Sequence, residues 1–278
     1  MIELGEYNIL KIARDTSVGL FLTDGENDVL LPNKYVPKKF DIGDEMKVFV
    51  YLDHEERITA TTLNPYIKRN EFAYLKVNGY QSLHFKELQN IKGPKQFPEK
   101  AFIITFDDVY VSQLELAYPL LKKYGLKACF YAPLKYLNQT DIWNTNKEPI
   151  MSVAQLQSLD PDVVELGLHS FAHNNYSQMS AEEIQADFDL SKDYILKNKL
   201  DIHNTLAYPY GKYPRKGEAK TRFFNLLHQN KIAYGLRIGN RVNAFPFKNN
   251  YEIQRLDIKG EDSLTTFKRK IKYGKLWF

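Results

Sequence analysis

The spacing of hydrophobic and polar positions divides the chain into two parts with different periods. Between residues 7 and 62, short apolar or alternating runs recur at close intervals, with turn-forming residues such as Asp24-Gly25 between them. Alternation bounded by turn residues is typical of β-strands. Five short strands without a helical pattern predict a small closed β-barrel of the OB type. The predicted strands are Tyr7–Ile12, Val18–Leu22, Asp28–Pro32, Met46–Leu52 and Arg57–Thr62.

From residue 101 the pattern changes to strands that alternate with helices. Ala101–Phe106 is a continuous apolar run, apolar residues then recur at helical spacing from Val111 to Tyr124, and Gly125 is a natural helix end. This alternation predicts a parallel sheet in a distorted TIM-like β/α barrel, whose functional groups gather at the C-terminal ends of the strands. Further predicted strands are Lys127–Ala132, Val163–Leu168, Thr205–Tyr208, Ala233–Ile238 and Tyr251–Ile258, with helices near 151–159, 181–197, 217–230 and 262–272.

The predicted organisation is therefore multi-domain: an OB-like barrel at 1–66, a connector at 67–78 and an α/β domain at 79–278. A content of 44% hydrophobic and 14% aromatic residues excludes a disordered chain. The single cysteine, Cys129, excludes a disulfide framework and a cysteine-rich zinc module. Any metal site must therefore use histidines and carboxylates.

Net charge and hydropathy limit the kinds of partner and the cellular location that the sequence predicts. The net charge of +4 is too small to require a polyanionic partner, and residues 1–78 hold 10 basic against 13 acidic residues. No stretch approaches the roughly 20 apolar residues of a membrane span. The first residues, MIELGE, lack the basic and apolar pattern of an export signal. The chain as given is expected to be cytoplasmic.

The candidate chemistry lies at two predicted strand ends. Asp107 and Asp108 follow an apolar strand, and a nearby cation would relieve the repulsion between their carboxylates. His169 and His173, at i and i+4, follow another strand. Two histidines and one carboxylate form a common three-ligand zinc site, which leaves the second carboxylate free to act as a base. Taken alone, a solvated aspartate pair and a chance histidine spacing are the simpler interpretations, but their shared position at strand ends favours a metal site.

Three motifs in order extend this pattern across about 200 residues. They are Thr105-Phe106-Asp107-Asp108, His169-Ser170-Phe171-Ala172-His173 and Ala207-Tyr208-Pro209-Tyr210-Gly211. With them, residues 79–278 resemble the polysaccharide deacetylase family, also known as NodB-homology or carbohydrate esterase family 4. The resemblance implies removal of acetyl groups from polymers that contain N-acetylglucosamine.

The same resemblance implies roles for individual residues. Asp108, His169 and His173 would bind a divalent metal, with Zn²⁺ favoured, and Asp107 would be the general base. The backbone N–H of Tyr210 would donate to the oxyanion, although a Pro-Tyr-Gly segment is also a simple tight turn.

The chain departs from the family pattern at several positions. Val109 stands where glycine is usual, and Ala207 stands where many members carry an arginine that orients the base. The AYPYG segment, with Arg255-Leu256-Asp257-Ile258 downstream, resembles the branch that deacetylates biofilm poly-N-acetylglucosamine more than it resembles chitin or peptidoglycan enzymes. The late Leu-x-x-His motif is absent, and His84 is the only upstream candidate for the general acid of that branch, in what looks like a surface segment.

Trp143 allows two interpretations. It follows the second strand of the α/β part, where it would either stack on a sugar or anchor a loop at the barrel rim.

The N-terminal part resembles the first OB-fold module of the conserved virulence factor B family, through GEYNILKIARDTSVGLFL and GDEMKVFVYLD. This resemblance implies RNA binding through exposed aromatics and lysines, although the aromatics are also suited to a barrel core. The candidates are Phe21, Tyr35 and Phe49, with Lys34, Lys38 and Lys39. The alternative function is RNA binding by a protein whose second domain is catalytically silent. A third option, intermediate between deacetylase and RNA-binding protein, is a carbohydrate-binding pseudoenzyme that retains the metal.

Overall fold

A computed structural model describes residues 2–52, 57–62, 75, 78–91, 93, 96–145, 147–258 and 262–274. The chain forms two compact units: Met1–Phe72 with Ile258–Lys272, and Ala73–Asp257 with Tyr273–Phe278. The connector predicted at 67–78 lies almost entirely outside the described residues, and the predicted domain limits stay predictions. Within the described part, no helix combines the length and the apolar character that crossing a membrane requires.

The first unit contains the predicted barrel. Its strands are β1 (Tyr7–Thr16), β2 (Gly19–Thr23), β3 (Asp28–Pro32), β4 (Glu45–Leu52) and β5 (Ile58–Thr61). They close in the order β1-β2-β3-β5-β4, and β1 pairs antiparallel with both β2 and β4. The OB-type barrel is thus confirmed.

Alternation along these strands fills the inside of the barrel. In β1 the burial alternates, so that Leu10 and Ile12 point inward while Ile9 stays largely exposed. The core consists of buried aliphatic side chains from all five strands: Leu10, Ile12, Leu20, Leu22, Val29, Leu31, Val48, Val50 and Ala60.

The second unit contains a six-stranded parallel sheet. Its strands are β8 (Ile104–Asp107), β9 (Ala128–Ala132), β10 (Val164–Leu168), β11 (Ile202–Ala207), β12 (Tyr234–Ile238) and β13 (Ile253–Arg255). Their order in the sheet follows their order in the chain, and every neighbouring pair is parallel. All C-terminal ends therefore lie along one edge. The predicted α/β class is confirmed, with six strands in the main described sheet rather than the eight of a closed barrel.

Short elements complete this unit. A parallel pair, β6 (Gln81–Ser82) and β7 (Ala101–Phe102), precedes β8. The helices of the unit are α1 (Phe85–Leu88), α2 (Tyr118–Tyr124), α3 (Val153–Gln157), α4 (Ala181–Asn198) and α5 (Gly217–Gln229), and the first unit contributes α6 (Leu264–Tyr273).

The central strands of the sheet are covered on both faces. Every residue of β9 and of β10 is buried, which explains why these strands read as continuous apolar runs rather than alternating ones. Large side chains from several strands, among them Tyr131 and Tyr234, form one buried cluster with Phe85 and Leu88 of α1. Cys129 is one of these buried core residues, as expected.

Gly167 shows how tightly β10 is packed. A Cβ atom at Gly167 would lie 2.5 Å from Cε1 of Tyr131 and 2.6 Å from Oγ1 of Thr205. Both neighbours are fully buried and belong to the adjacent strands β9 and β11. Only glycine therefore lets β10 lie at this position, two residues before His169.

We expect Gly167→Ala to lower the free energy of unfolding of the second unit by about 1–3 kcal/mol, because the added methyl group overpacks a closed site. Native-state hydrogen exchange of the β9 and β10 amides measures this loss. Gly93→Ala is the control, since nothing lies within 4 Å of a Cβ atom there. Equal stability of the two variants would contradict the packing argument.

Candidate active site

The carboxylate and imidazole groups predicted at two strand ends meet at the C-terminal edge of the sheet. Oδ1 of Asp108, which follows β8, lies 3.6 Å from Nε2 of His169 and 3.3 Å from Nε2 of His173. The three ligand atoms all lie within 4.8 Å of one another. Asp107 is close by, with Oδ2 3.9 Å from Nε2 of His169.

Hydrogen bonds on the far sides of the imidazoles orient their free nitrogens. Nδ1 of His169 lies 2.8 Å from the carbonyl oxygen of Ala207, at the end of β11. Because a carbonyl only accepts, Nδ1 carries the proton and the lone pair of Nε2 faces Asp108. Nδ1 of His173 lies 3.1 Å from the hydroxyl of Tyr210. The side chain of Tyr210 thus contacts the site, in addition to the backbone role expected from the sequence.

The donor set suits a divalent cation. Oδ1 of Asp108 is buried without a hydrogen-bond partner among the described residues, although an unpaired buried carboxylate oxygen is costly. Ligand atoms about 2.1 Å from one tetrahedral ion lie roughly 3.4 Å apart, close to the spacings around this oxygen. Nitrogen and carboxylate ligands of this kind suit zinc.

The protonation states also suit such a site. Burial raises the pKa of Asp108 to about 6, and burial together with His169 lowers the pKa of His173 to about 3. At neutral pH the group therefore holds a carboxylate and an uncharged His173 ring, the forms that bind metals.

Asp107 lies beside this group and pairs with Arg255, a residue to which the sequence pattern assigned no role. Nη1 and Nη2 of Arg255 donate to Oδ1 and Oδ2 of Asp107 at 2.6 and 2.8 Å. Arg255 ends β13, at the opposite side of the sheet from β8 in strand order. Two sequence signals could have pointed to it: the missing arginine at position 207 and the Arg255-Leu256-Asp257-Ile258 segment.

The ion pair with Arg255 keeps the Asp107 carboxylate ionised although this side chain is partly buried. Burial alone would raise the pKa of Asp107, but the Arg255 guanidinium and the imidazoles lower it from 3.8 to about 2. Because the folded pKa is the lower one, the ion pair contributes stability above pH 3.8 and loses it as the pH falls through 2.

Strained backbone is concentrated at the same edge. Asp108, Val109, Ser170, His173 and Tyr210 all have left-handed φ values, between 48° and 70°. For a β-branched residue such as Val109 this conformation is costly, and the family pattern usually has glycine there. Full burial of the Val109 side chain and a hydrogen bond from Met151 N–H to its carbonyl, at 2.9 Å, hold the turn.

Trp143 packs on one of the two candidate ligand histidines. Its ring stacks on His173 with 3.9 Å between centroids and 14° between planes, and it meets Tyr136 edge-on at 5.1 Å. One face of the indole is thus used within the protein. This contact supports the interpretation of Trp143 as a loop anchor.

His84 lies at the wrong end of the sheet to act as the general acid. It is fully buried rather than on the surface, and its Nε2 lies 3.2 Å from the carbonyl oxygen of Val163, just before β10 begins. The site lies beyond the other end of β10, roughly 15 Å away for a five-residue strand.

Two family profiles match the chain. The S1 domain profile matches residues 4–63, and the polysaccharide deacetylase profile matches residues 94–226. Residues 94–226, hereafter the deacetylase domain, are therefore similar to polysaccharide deacetylases. The assignment made from the three motifs, including the hydrolase class that it implies, is confirmed.

Two curated relatives that match the deacetylase domain carry the same name. The poly-β-1,6-N-acetyl-D-glucosamine N-deacetylase of Staphylococcus epidermidis is 26% identical over 209 residues, which cover 72% of this chain and 69% of that protein. The enzyme of the same name from Staphylococcus aureus strain N315 is 29% identical over 148 residues, 51% of each chain. The match thus spans about half the length of the S. aureus relative.

Solved structures share the fold of the deacetylase domain. A Streptococcus pyogenes deacetylase in complex with acetate superposes with a TM-score of 0.61 at 19% identity, over 75% of this chain and 87% of that one. A de-N-acetylase from Aggregatibacter actinomycetemcomitans gives 0.59 at 20% identity, over 72% and 87%.

The barrel does not support the RNA-binding prediction. Phe49 is buried, and the Arg14 guanidinium lies 4.1 Å from the centroid of the Phe21 ring while it also pairs with Asp28. These two aromatic rings are therefore engaged within the protein rather than free for base stacking.

We expect Arg255→Lys to raise the pKa of Asp107 from about 2 toward its ordinary value of 3.8, because one ammonium cannot bond both carboxylate oxygens. Carboxyl ¹³C NMR of the metal-free protein, titrated with acid, measures the pKa. Arg222→Lys, an exposed arginine on α5, is the control. An unchanged Asp107 pKa in Arg255→Lys would show that the bidentate pair does not set it.

Proposed function

We propose that the deacetylase domain is a metal-dependent N-deacetylase that hydrolyses acetyl groups from a polymer of N-acetylglucosamine. The convergence of Asp108, His169 and His173 around an unpaired carboxylate oxygen carries this proposal. The names of the staphylococcal relatives support poly-β-1,6-N-acetylglucosamine as the substrate class.

The cation would be held by one carboxylate oxygen and two imidazole nitrogens, and Zn²⁺ suits this donor set. A divalent metal bound there supplies a Lewis acid for the amide carbonyl and lowers the pKa of a nearby water molecule. Residues of the chain would supply the general base and the donor to the oxyanion.

Asp107 is proposed as the general base. Its carboxylate stays ionised through Arg255 and lies beside the imidazole cluster without joining it at ligand distance. It takes the proton from a water molecule as the water oxygen attacks the acetyl carbonyl carbon. The bidentate pair fixes the plane of the carboxylate, so that the accepting oxygen keeps one direction.

The backbone N–H of Tyr210 is proposed as a donor to the oxyanion that forms on the carbonyl oxygen. Tyr210 has φ 58° and ψ 10° within a 3₁₀ turn at Pro209–Gly211, directly after β11. This places the peptide at the same edge of the sheet as the ligand cluster. Collapse of the adduct then breaks the C–N bond: the sugar nitrogen takes up a proton from solvent, Asp107 returns its proton to solvent, and acetate leaves with the new C–O bond.

We expect the chain to release acetate from β-1,6-linked N-acetylglucosamine oligomers when zinc or cobalt is supplied, and a chelator to stop the release. Asp107→Asn should lower kcat by at least about 100-fold, because the amide cannot accept the proton. An enzymatic acetate assay follows the reaction, with the exposed Asp189→Asn on α4 as the control.

The outcomes separate the candidate functions. Full activity of Asp107→Asn would refute the role of the base, and activity in a chelated protein would refute metal dependence. Stoichiometric metal binding without acetate release would favour the pseudoenzyme. Equal rates on β-1,4-linked oligomers would argue against the proposed linkage.

A further inference from the structure

A buried carboxylate lies behind the turn that carries both imidazoles. Asp187, on α4, is 4% exposed and takes no part in the proposed chemistry. Its Oδ1 accepts hydrogen bonds from the Ser170 hydroxyl at 2.7 Å and from Phe171 N–H at 3.0 Å, and its Oδ2 lies 3.1 Å from the same N–H. Both donors belong to the segment between His169 and His173.

The Ser170 hydroxyl also forms a hydrogen bond with the other end of the turn. While it donates to Asp187, its oxygen accepts a hydrogen bond from Asn174 N–H at 3.0 Å. Ser170 follows His169 directly, and Asn174 follows His173 directly. One carboxylate and one hydroxyl therefore tie together the two positions next to the imidazoles.

The turn needs such support because its backbone is strained. Ser170 and His173 have φ values of 58° and 54°. A left-handed conformation costs a non-glycine residue on the order of 1 kcal/mol or more, so it persists only where surrounding contacts enforce it. The hydrogen bonds to Asp187 are directed at this segment.

Asp187 is itself held firmly. It lies within an 18-residue helix whose first turn is closed by a capping box between Ser180 and Glu183. The hydroxyl of the fully buried Tyr176 donates to Oδ2 at 2.9 Å, and the Ser191 hydroxyl donates to the backbone carbonyl of Asp187 at 2.8 Å. The carboxylate therefore links a rigid helix to a strained turn.

We infer that Asp187 is a positioning residue that sets the metal affinity of the site, acting through Ser170 and the peptide of Phe171. This inference rests on the proposed role of His169 and His173 as metal ligands. Residues that orient the metal ligands through hydrogen bonds typically change the metal affinity 10- to 100-fold.

The test is the zinc and cobalt affinity of the full chain carrying Asp187→Asn. The substitution keeps the shape, but an amide cannot accept hydrogen bonds on both of its terminal atoms. We expect the dissociation constant to rise about 10- to 100-fold and the visible absorption of bound Co²⁺ to change, since the imidazoles are no longer fixed. Circular dichroism of the metal-free protein checks that the fold is kept.

Ser191→Ala is the matched control. It removes a buried hydroxyl from the same helix, bonded to the backbone rather than to the carboxylate of Asp187. It should lower the thermal stability and leave the Co²⁺ spectrum and the affinity unchanged. Ser170→Ala is a milder second variant that keeps the other bonds of Asp187, and it should also weaken metal binding.

The results distinguish this inference from the proposed function. If wild type binds one equivalent of metal, and Asp187→Asn and Ser170→Ala bind it with unchanged affinity and spectrum, the positioning role is refuted while the metal site stands. An affinity loss in Ser191→Ala equal to that in Asp187→Asn also refutes it. If the wild type binds no metal, both the positioning role and the metal site are refuted.

Discussion

Two adjacent carboxylates at the end of one strand impose the constraint around which the site is arranged. Asp107 and Asp108 would repel each other if they shared one environment. The fold separates them: Arg255 grips both oxygens of Asp107, while Asp108 turns toward His169 and His173. One aspartate is thereby fixed and ionised, as the proposed base requires, and the other faces the imidazoles as the proposed ligand.

The parallel sheet makes this separation possible. Strands β8, β10, β11 and β13 all end at the same edge, so residues far apart in the chain arrive together. This arrangement costs conformational free energy in the backbone, because residues with left-handed φ values are concentrated in the turns that follow these strands. Buried side chains and hydrogen bonds from behind, such as those of Val109 and Asp187, keep these turns in place.

Much of this could be predicted from the sequence because the signals are local. The two hydrophobic periods separated a β-barrel from an α/β unit, and three short motifs located the aspartates, the histidines and Tyr210. These motifs lie where strands end, and parallel strands share one edge. Local pattern was therefore enough to bring the three proposed ligands together.

The remaining features depend on contacts that no local pattern records. Arg255 and Asp107 are 148 residues apart in the sequence, and neither the missing arginine at position 207 nor the Arg255-Leu256-Asp257-Ile258 segment identified the two as partners. Asp187 looks like an ordinary helix residue until its distance to Ser170 is known. The surface position expected for His84 was wrong for the same reason. The short segment around it does not reveal that α1 packs against the sheet.

Zinc-edge X-ray absorption of the reconstituted full chain shows whether the two imidazoles bind the same ion. We predict one zinc per chain, bound by two imidazole nitrogens and by oxygen at about 2.0–2.2 Å, with imidazole scattering lost in the His169→Ala and His173→Ala double variant. A spectrum that lacks imidazole scattering, or one that the double variant leaves unchanged, would contradict it.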